Sequence, residues 1–211
     1  MSALQTVGTV VIGLTGGMAS GKSTVARILV KMGFPVLDTD GIGHELMNSP
    51  GSVVQARLVA RFGRHIIDAQ GLVDRPTLAA DVFADPKARS ELEAILHPAI
   101  SDEVWQRVSD LAGTSPLVFL EVPLLIEAGW DKKVRWIVVV DCPPEDQVTR
   151  FMTRTGSDQE SAEARLKTQI SRAERLARAD YVIDNSGPVS GLRSQVLELL
   201  VVLTKEMEAD D

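Results

Sequence analysis

The chain has 211 residues, 45% of them apolar and 24% charged, enough to bury a full core in one or two domains. Its net charge of −7 opposes a nucleic-acid-binding face, so an anionic substrate has to be gripped by a local group of arginines rather than by the overall field. No apolar run is long enough to cross a bilayer, residues 1–7 lack a secretory signal's basic start and apolar core, and Cys142 is the single cysteine; together these point to a reducing cytoplasm.

The first element is Val10-Val11-Ile12-Gly13-Leu14, short, apolar and β-branched, which predicts a buried strand. Gly16-Gly17-Met18-Ala19-Ser20-Gly21-Lys22-Ser23 follows and fits G-x-x-x-x-G-K-S. Val25, Ile28, Leu29 and Met32 then repeat at i, i+3, i+4, i+7, the inner stripe of a helix, and Gly33 stands where a helix stops. Strand, glycine loop and helix are the context in which this motif cradles phosphate. The glycines let successive N–H groups turn inward, and the positive end of the helix adds to their field. Lys22 is placed to neutralise β/γ-phosphate charge and Ser23 to offer its hydroxyl to Mg²⁺. Thr24 either extends the phosphate-facing turn or caps the helix.

Pro35-Val36-Leu37 predicts a second strand, and Asp38-Thr39-Asp40 comes straight after it. In an extended segment two carboxylates two apart share a side, so one can accept the proton of an attacking hydroxyl while the other positions it. The plainer reading is a solvated turn in which Asp40 caps a helix starting near Gly41. His44, four residues beyond Asp40, shares its helical face as a binding or orienting group.

Residues 41–115 contain several helical patterns, Leu92, Ile95 and Leu96, then Ile100, Val104, Val108 and Leu111, more chain than one crossover needs. They read as a helical insertion over the carboxyl ends of the strands, where such sheets bind ligands, or as a structural addition only. Leu117-Val118-Phe119-Leu120, Trp136 to Val140 and Tyr181-Val182-Ile183 complete five continuous apolar strands, each read as covered on both faces of a parallel sheet. Glu121 ends the third strand as a candidate Mg²⁺ holder through water, and Pro123 bends the chain beside it.

Between residues 145 and 178 stand Arg150, Arg154, Arg165, Arg172, Arg175 and Arg178. Thr155-Gly156-Ser157-Asp158 breaks the segment, and Ser161, Ala162, Leu166, Ile170 and Ala173 begin and line a second helix. A hinged, arginine-rich helix pair suits a phosphoryl-transfer lid; interspersed acids allow a solvated hairpin instead. Leu192, Val196, Leu199, Leu200 and Leu203 form the inner stripe of a last helix, with a frayed tail over residues 206–211.

Asp184-Asn185-Ser186-Gly187 does not supply the Asn-Lys-x-Asp guanine reader of a GTPase. A small chain with an insertion and an arginine lid fits phosphoryl transfer to a small molecule, where water has to be excluded.

The phosphate loop, then Asp38-Thr39-Asp40 with His44, resemble the opening of the dephospho-CoA kinase family. Gly71-Leu72-Val73-Asp74-Arg75, Leu92 to Pro98, Val122 to Glu127, Gln147 with Arg150 and Arg154, Gln169, and Ala179 to Gly187 occur in that family's order. Met18 departs from a commoner isoleucine in a loop whose backbone does the binding. The resemblance implies a P-loop NTPase fold of class α/β, a five-stranded parallel sheet flanked by helices plus a helical substrate-binding insertion and a helical lid. It implies a core over residues 1–41, 114–148 and 179–211, an acceptor-binding insertion over 42–113 and a lid over 149–178. The implied reaction is ATP-dependent phosphorylation of the ribose 3′-hydroxyl of dephospho-CoA. ATP with Mg²⁺ is the donor, and the protein is a cytoplasmic monomer or small homo-oligomer with no nucleic-acid or membrane partner. On this resemblance Asp40 is the general base, and Lys22, Arg150 and Arg154 stabilise the transferring group. Gly16 to Thr24 and Asn185 bind ATP, with Asn185 at the adenine, and Ser23 and Glu121 serve the metal. Asp38, His44, Arg75, His97, Pro98, Pro123, Leu124 and Glu127 surround the acceptor. The alternatives left open are another small-molecule kinase, of nucleoside, shikimate or gluconate type, and a nucleotide-binding regulator without chemistry.

Overall fold

The structure, a computed structural model, describes residues 8–210. The segment read for a missing leader, residues 1–7, lies outside the described residues, as does Asp211. The chain divides into two compact units, one of residues up to 37 and from 111 onward, the other Asp38–Asp110.

The first unit is built on a five-stranded parallel sheet in the order β2-β3-β1-β4-β5. The strands are β1 (Val10–Gly16), β2 (Val36–Asp38), β3 (Leu117–Glu121), β4 (Trp136–Asp141) and β5 (Tyr181–Asp184). In register, Ile12 lies beside Phe119 and Trp136, and Val138 lies beside Tyr181. The continuous apolar runs place β1, β3 and β4 at the buried centre, where Leu14, Phe119 and Val138 are fully covered. Covering a side chain of that size contributes about 1.5–3 kcal/mol. At the edge the expectation of two covered faces fails: Ile183 of β5 is buried while its neighbour Val182, on the opposite face, is 50% exposed, so only one face of this strand is covered.

Helices α1 (Lys22–Lys31) and α9 (Leu192–Asp210) pack on this sheet through Val25, Ala26, Leu29, Leu192, Val196, Leu199, Leu200 and Leu203. The stripe predicted for the last helix is the face it buries. Its tail, expected to fray, stays helical to Asp210. Strand β2 begins one residue later than predicted. Pro35 has no N–H to give, and its carbonyl accepts the Phe119 N–H at 3.0 Å instead. Cys142, just past β4, is a fully buried packing residue whose thiol burial holds above the usual pKa.

The predicted helix pair is three helices: α6 (Pro144–Thr155), α7 (Gln159–Lys167) and α8 (Arg172–Ala177). Gly156, at φ +71°, ends α6, and the Asp158 carboxylate accepts the Ser161 N–H at 2.7 Å, so α7 starts before Ser161. Ser171 and Glu174 form a reciprocal cap that starts a new helix, so Ile170 lies between helices and Ala173 belongs to α8.

The second unit holds α2 (Thr39–Met47), α3 (Val53–Phe62), α4 (Arg75–Ala84) and nearly all of α5 (Pro86–Leu111). Its core joins Met47, Val54, Leu58, Phe62, Ile66, Val73 and Leu78 with Leu92, Ile95 and Leu96. The separate patterns read after Leu92 are one 26-residue helix that continues through Pro98. Among the described residues no helix is long and apolar enough to cross a membrane.

Candidate active site

Strand β1 stops at Gly16 and α1 starts at Lys22, and the five residues between them make the loop. The Ser20 N–H donates to the Gly17 carbonyl at 3.0 Å, and Ala19 is held at φ +54°, an uncommon value for a residue with a Cβ. Gly21, at φ +97°, is the residue before the helix, a left-handed conformation that glycine adopts without strain. The Thr24 N–H donates to the Gly21 carbonyl at 2.8 Å, so Gly21 stands at the cap position and Thr24 lies inside the first turn. That removes the reading of Thr24 as the cap. No acidic residue stands in this first turn, so the positive end of α1 keeps its attraction for anions.

The two polar residues that open α1 meet Glu121 at the end of β3. One carboxylate oxygen, Oε1, accepts from Lys22 Nζ at 2.8 Å and from Ser23 Oγ at 2.7 Å. The Lys22 and Glu121 side chains are 13% and 11% exposed, so each charge is matched where water is scarce. Glu121 is therefore not an ordinary surface acid. A hydroxyl and a carboxylate this close are hard oxygen donors of the kind Mg²⁺ takes alongside substrate phosphates. Such a cation needs only one or two protein oxygens, so Ser23 and Glu121 fit it.

Side chains from late in the chain hold the loop from outside. Asn185, just after β5 and 5% exposed, donates Nδ2 to the Ser20 carbonyl at 2.7 Å, and that nitrogen would lie 2.0 Å from a Cβ placed on Gly21. Arg150 of α6 donates to the Asn185 carbonyl at 2.9 Å. Gln169, ahead of α8, accepts the Met18 N–H at 3.0 Å. Gln147, one turn before Arg150, donates to the Cys142 carbonyl at 3.0 Å and sets its Oε1 beside Gly17, as Arg175 of α8 sets a terminal nitrogen. Asp141, ending β4, is gripped by Arg172 through three contacts of 2.6–3.0 Å, which hold that guanidinium above its ordinary pKa. Asn185→Ala is expected to cost about 1–3 kcal/mol of stability, because it orphans a buried carbonyl. The thermal midpoint checks this, and a value equal to wild type would show that the bond stabilises nothing.

The structure thus gathers Gly16 to Thr24, Glu121, Asn185 and Arg150. It leaves Arg154 exposed, its guanidinium carbon 5.7 Å from the centre of the Phe151 ring. Asp141 was not singled out by sequence reading; Gln147 and Gln169 entered only through the resemblance, and Arg172 and Arg175 only among the arginines of the lid, with no individual role. An acid closing β4, as Glu121 closes β3, was the available signal for Asp141. Pro123 accepts from Thr15 Oγ1 at 3.3 Å, Leu124 is 38% exposed, and Glu127 accepts the Ile170 N–H at 3.1 Å.

In the second unit, Asp38 and Asp40 do not share a side of an extended segment. Asp38 Oδ1 accepts the Asp40 N–H at 3.1 Å, so Asp38 caps α2 and helix begins at Thr39, ahead of Gly41. Asp40 stands in the first turn, and His44 lies one turn further on the same helix. Arg75 opens α4 after the Asp74 cap, and His97 and Pro98 are exposed midway along α5.

The family model for dephospho-CoA kinase matches residues 10–190. The dephospho-CoA kinase of Thiobacillus denitrificans is 48% identical over 88% of this chain and 91% of its own length. That of Syntrophotalea carbinolica is 42% identical over 95% of both. The solved dephospho-CoA kinase from Campylobacter jejuni superposes with a TM-score of 0.71 at 25% identity, covering 93% of this chain and 98% of its own. A phosphate loop anchored by Lys22, Ser23 and Glu121, in a chain matched along nearly its whole length, leaves one placement: the chain belongs to the dephospho-CoA kinase family.

Proposed function

We propose a division of labour in which the loop side binds and activates ATP while Asp40 receives the acceptor's proton. The reaction is ATP-dependent phosphorylation of dephospho-CoA in coenzyme A synthesis, and the ribose 3′-hydroxyl is the attacking group. The observation that carries the reading is the shared Glu121 oxygen. It fixes Lys22 and Ser23 at the mouth of the loop, the two side chains that meet the β/γ-phosphates and the cation. The loop N–H groups hold the triphosphate, and Asn185 supports their backbone while facing the adenine end. Ser23 and Glu121 would hold Mg²⁺, which would supply positive charge against the triphosphate.

In a loose transition state negative charge spreads over the γ-phosphoryl oxygens, so cations contribute most. Lys22, Arg150 and Arg154 supply that charge, and residues 149–178 act as the lid that excludes water. The acceptor is held by residues 42–113, through His44, Arg75, His97 and Pro98 with Asp38, and by Pro123, Leu124 and Glu127. A net charge of −7 supports a protein without nucleic-acid partners, and the single cysteine, Cys142, supports work in the reducing cytoplasm, with no membrane partner and as a monomer or small homo-oligomer.

The test is direct. With ATP, Mg²⁺ and dephospho-CoA the protein is expected to release ADP and form a product heavier by one phosphoryl group, and EDTA is expected to abolish both. Faster turnover of a nucleoside, shikimate or gluconate would replace this substrate. Nucleotide binding with no acceptor-dependent ADP release would leave a regulator.

A further inference from the structure

Arg175 is 5% exposed, and among the described residues it has no carboxylate within ion-pair distance. One terminal nitrogen donates to the Ile170 carbonyl at 3.0 Å. The other lies 3.0 Å from the point where a Cβ on Gly17 would stand. Gln147 Oε1 lies 2.5 Å from that same point, is buried, and has no hydrogen-bond partner among the described residues. A lone acceptor and a guanidinium with donors to spare therefore flank the second glycine of the phosphate loop.

Burying a guanidinium without a counter-charge costs several kcal/mol, so such a group persists where an anion meets it. The nearby acids are already engaged: Glu127 accepts from Ile170, and Asp141 is clasped by Arg172. Burial pushes the Arg175 guanidinium below its ordinary pKa, with the fields of Glu127 and Asp141 opposing it. Gly17 lacks the side chain that would stand between this cation and the loop.

We infer that Arg175 contacts a phosphate of the bound nucleotide at the Gly17 end of the loop, its guanidinium held in place through the Ile170 carbonyl. This rests on the reading that residues 16–23 cradle the polyphosphate of ATP. It assigns a binding role to a helix-α8 arginine buried against the loop, distinct from the exposed Arg154.

The experiment is calorimetric titration of the full chain with adenosine, ADP and ATP, for wild type, Arg175→Gln and Arg175→Lys, with circular dichroism to report folding. In Arg175→Gln the gain in affinity from adenosine to ADP or ATP is expected to shrink by about tenfold or more, the scale of one charge-assisted hydrogen bond. Adenosine affinity is expected to hold within about twofold, since the lost contact is to phosphate alone. An undiminished gain, or an equal fall for adenosine, overturns the assignment, the second marking Arg175 as a brace only. If Arg175→Gln does not fold, Arg175→Lys decides. It keeps the charge but loses the planar fork, and about a threefold to tenfold smaller gain is expected. Full retention of the gain, or a fall shared by adenosine, overturns the assignment in that variant too. A wild type with no gain from adenosine to ATP fails differently, since it removes the phosphate cradle itself.

Discussion

Lys22→Ala is expected to lower single-turnover phosphoryl transfer by at least on the order of a hundredfold, the scale of removing a well-placed charge donor. The ammonium lies 2.8 Å from Glu121 and is 13% exposed, so it acts where water screens little. It also balances a buried carboxylate. Without it, Glu121 keeps the Ser23 hydroxyl but loses the Lys22 ammonium, and a stability cost accompanies the catalytic one. The two costs separate in the double variant Lys22→Ala/Glu121→Gln, which removes both charges. Its thermal midpoint is expected to recover towards wild type while turnover stays low. A Lys22→Ala rate within about threefold of wild type would remove the lysine from transition-state stabilisation.

Wherever one interaction dominates over a short stretch, sequence foretells the outcome. The apolar runs of β1, β3 and β4 have no other way to hide, and the loop between β1 and α1 is specified by residues adjacent in the chain. The β2–α2 junction was misread because the decision there is a single side-chain contact, Asp38 Oδ1 accepting the Asp40 N–H, which periodicity does not register. The same holds for the Ser171 and Glu174 cap, which divides one supposed helix into two. Pro98 lies inside α5, where its own missing N–H removes only one bond and the apolar stripe on either side carries the helix through.

The site divides along the same line. Lys22 and Ser23 were legible because their partners in the motif are neighbours. The residues around them come from far along the chain: Glu121 meets Ser23 across 98 positions and Asn185 meets Ser20 across 165. Nothing in local spacing ranks Arg175 above Arg154, for both sit in arginine-rich helical sequence. Burial separates them, and burial depends on the whole fold.

Asp40→Asn is expected to leave ATP affinity within about twofold of wild type while turnover falls by about 10²–10⁴, the usual contribution of a general base. The substitution is nearly isosteric. It keeps the Asp40 N–H that Asp38 accepts, so the start of α2 survives, and losing the negative charge from the first helical turn costs about 0.3–1 kcal/mol. What disappears is basicity, since an amide cannot take the proton that a ribose hydroxyl releases as its oxygen bonds to phosphorus. Asp38→Ala gives the contrasting signature: it removes the cap, and about 1 kcal/mol of stability is expected to go with it. Single-turnover assays with saturating ATP and acceptor distinguish the two carboxylates. An Asp40→Asn enzyme that transfers phosphate at a near-normal rate would leave the proton to another acceptor and strip α2 of its part in the chemistry.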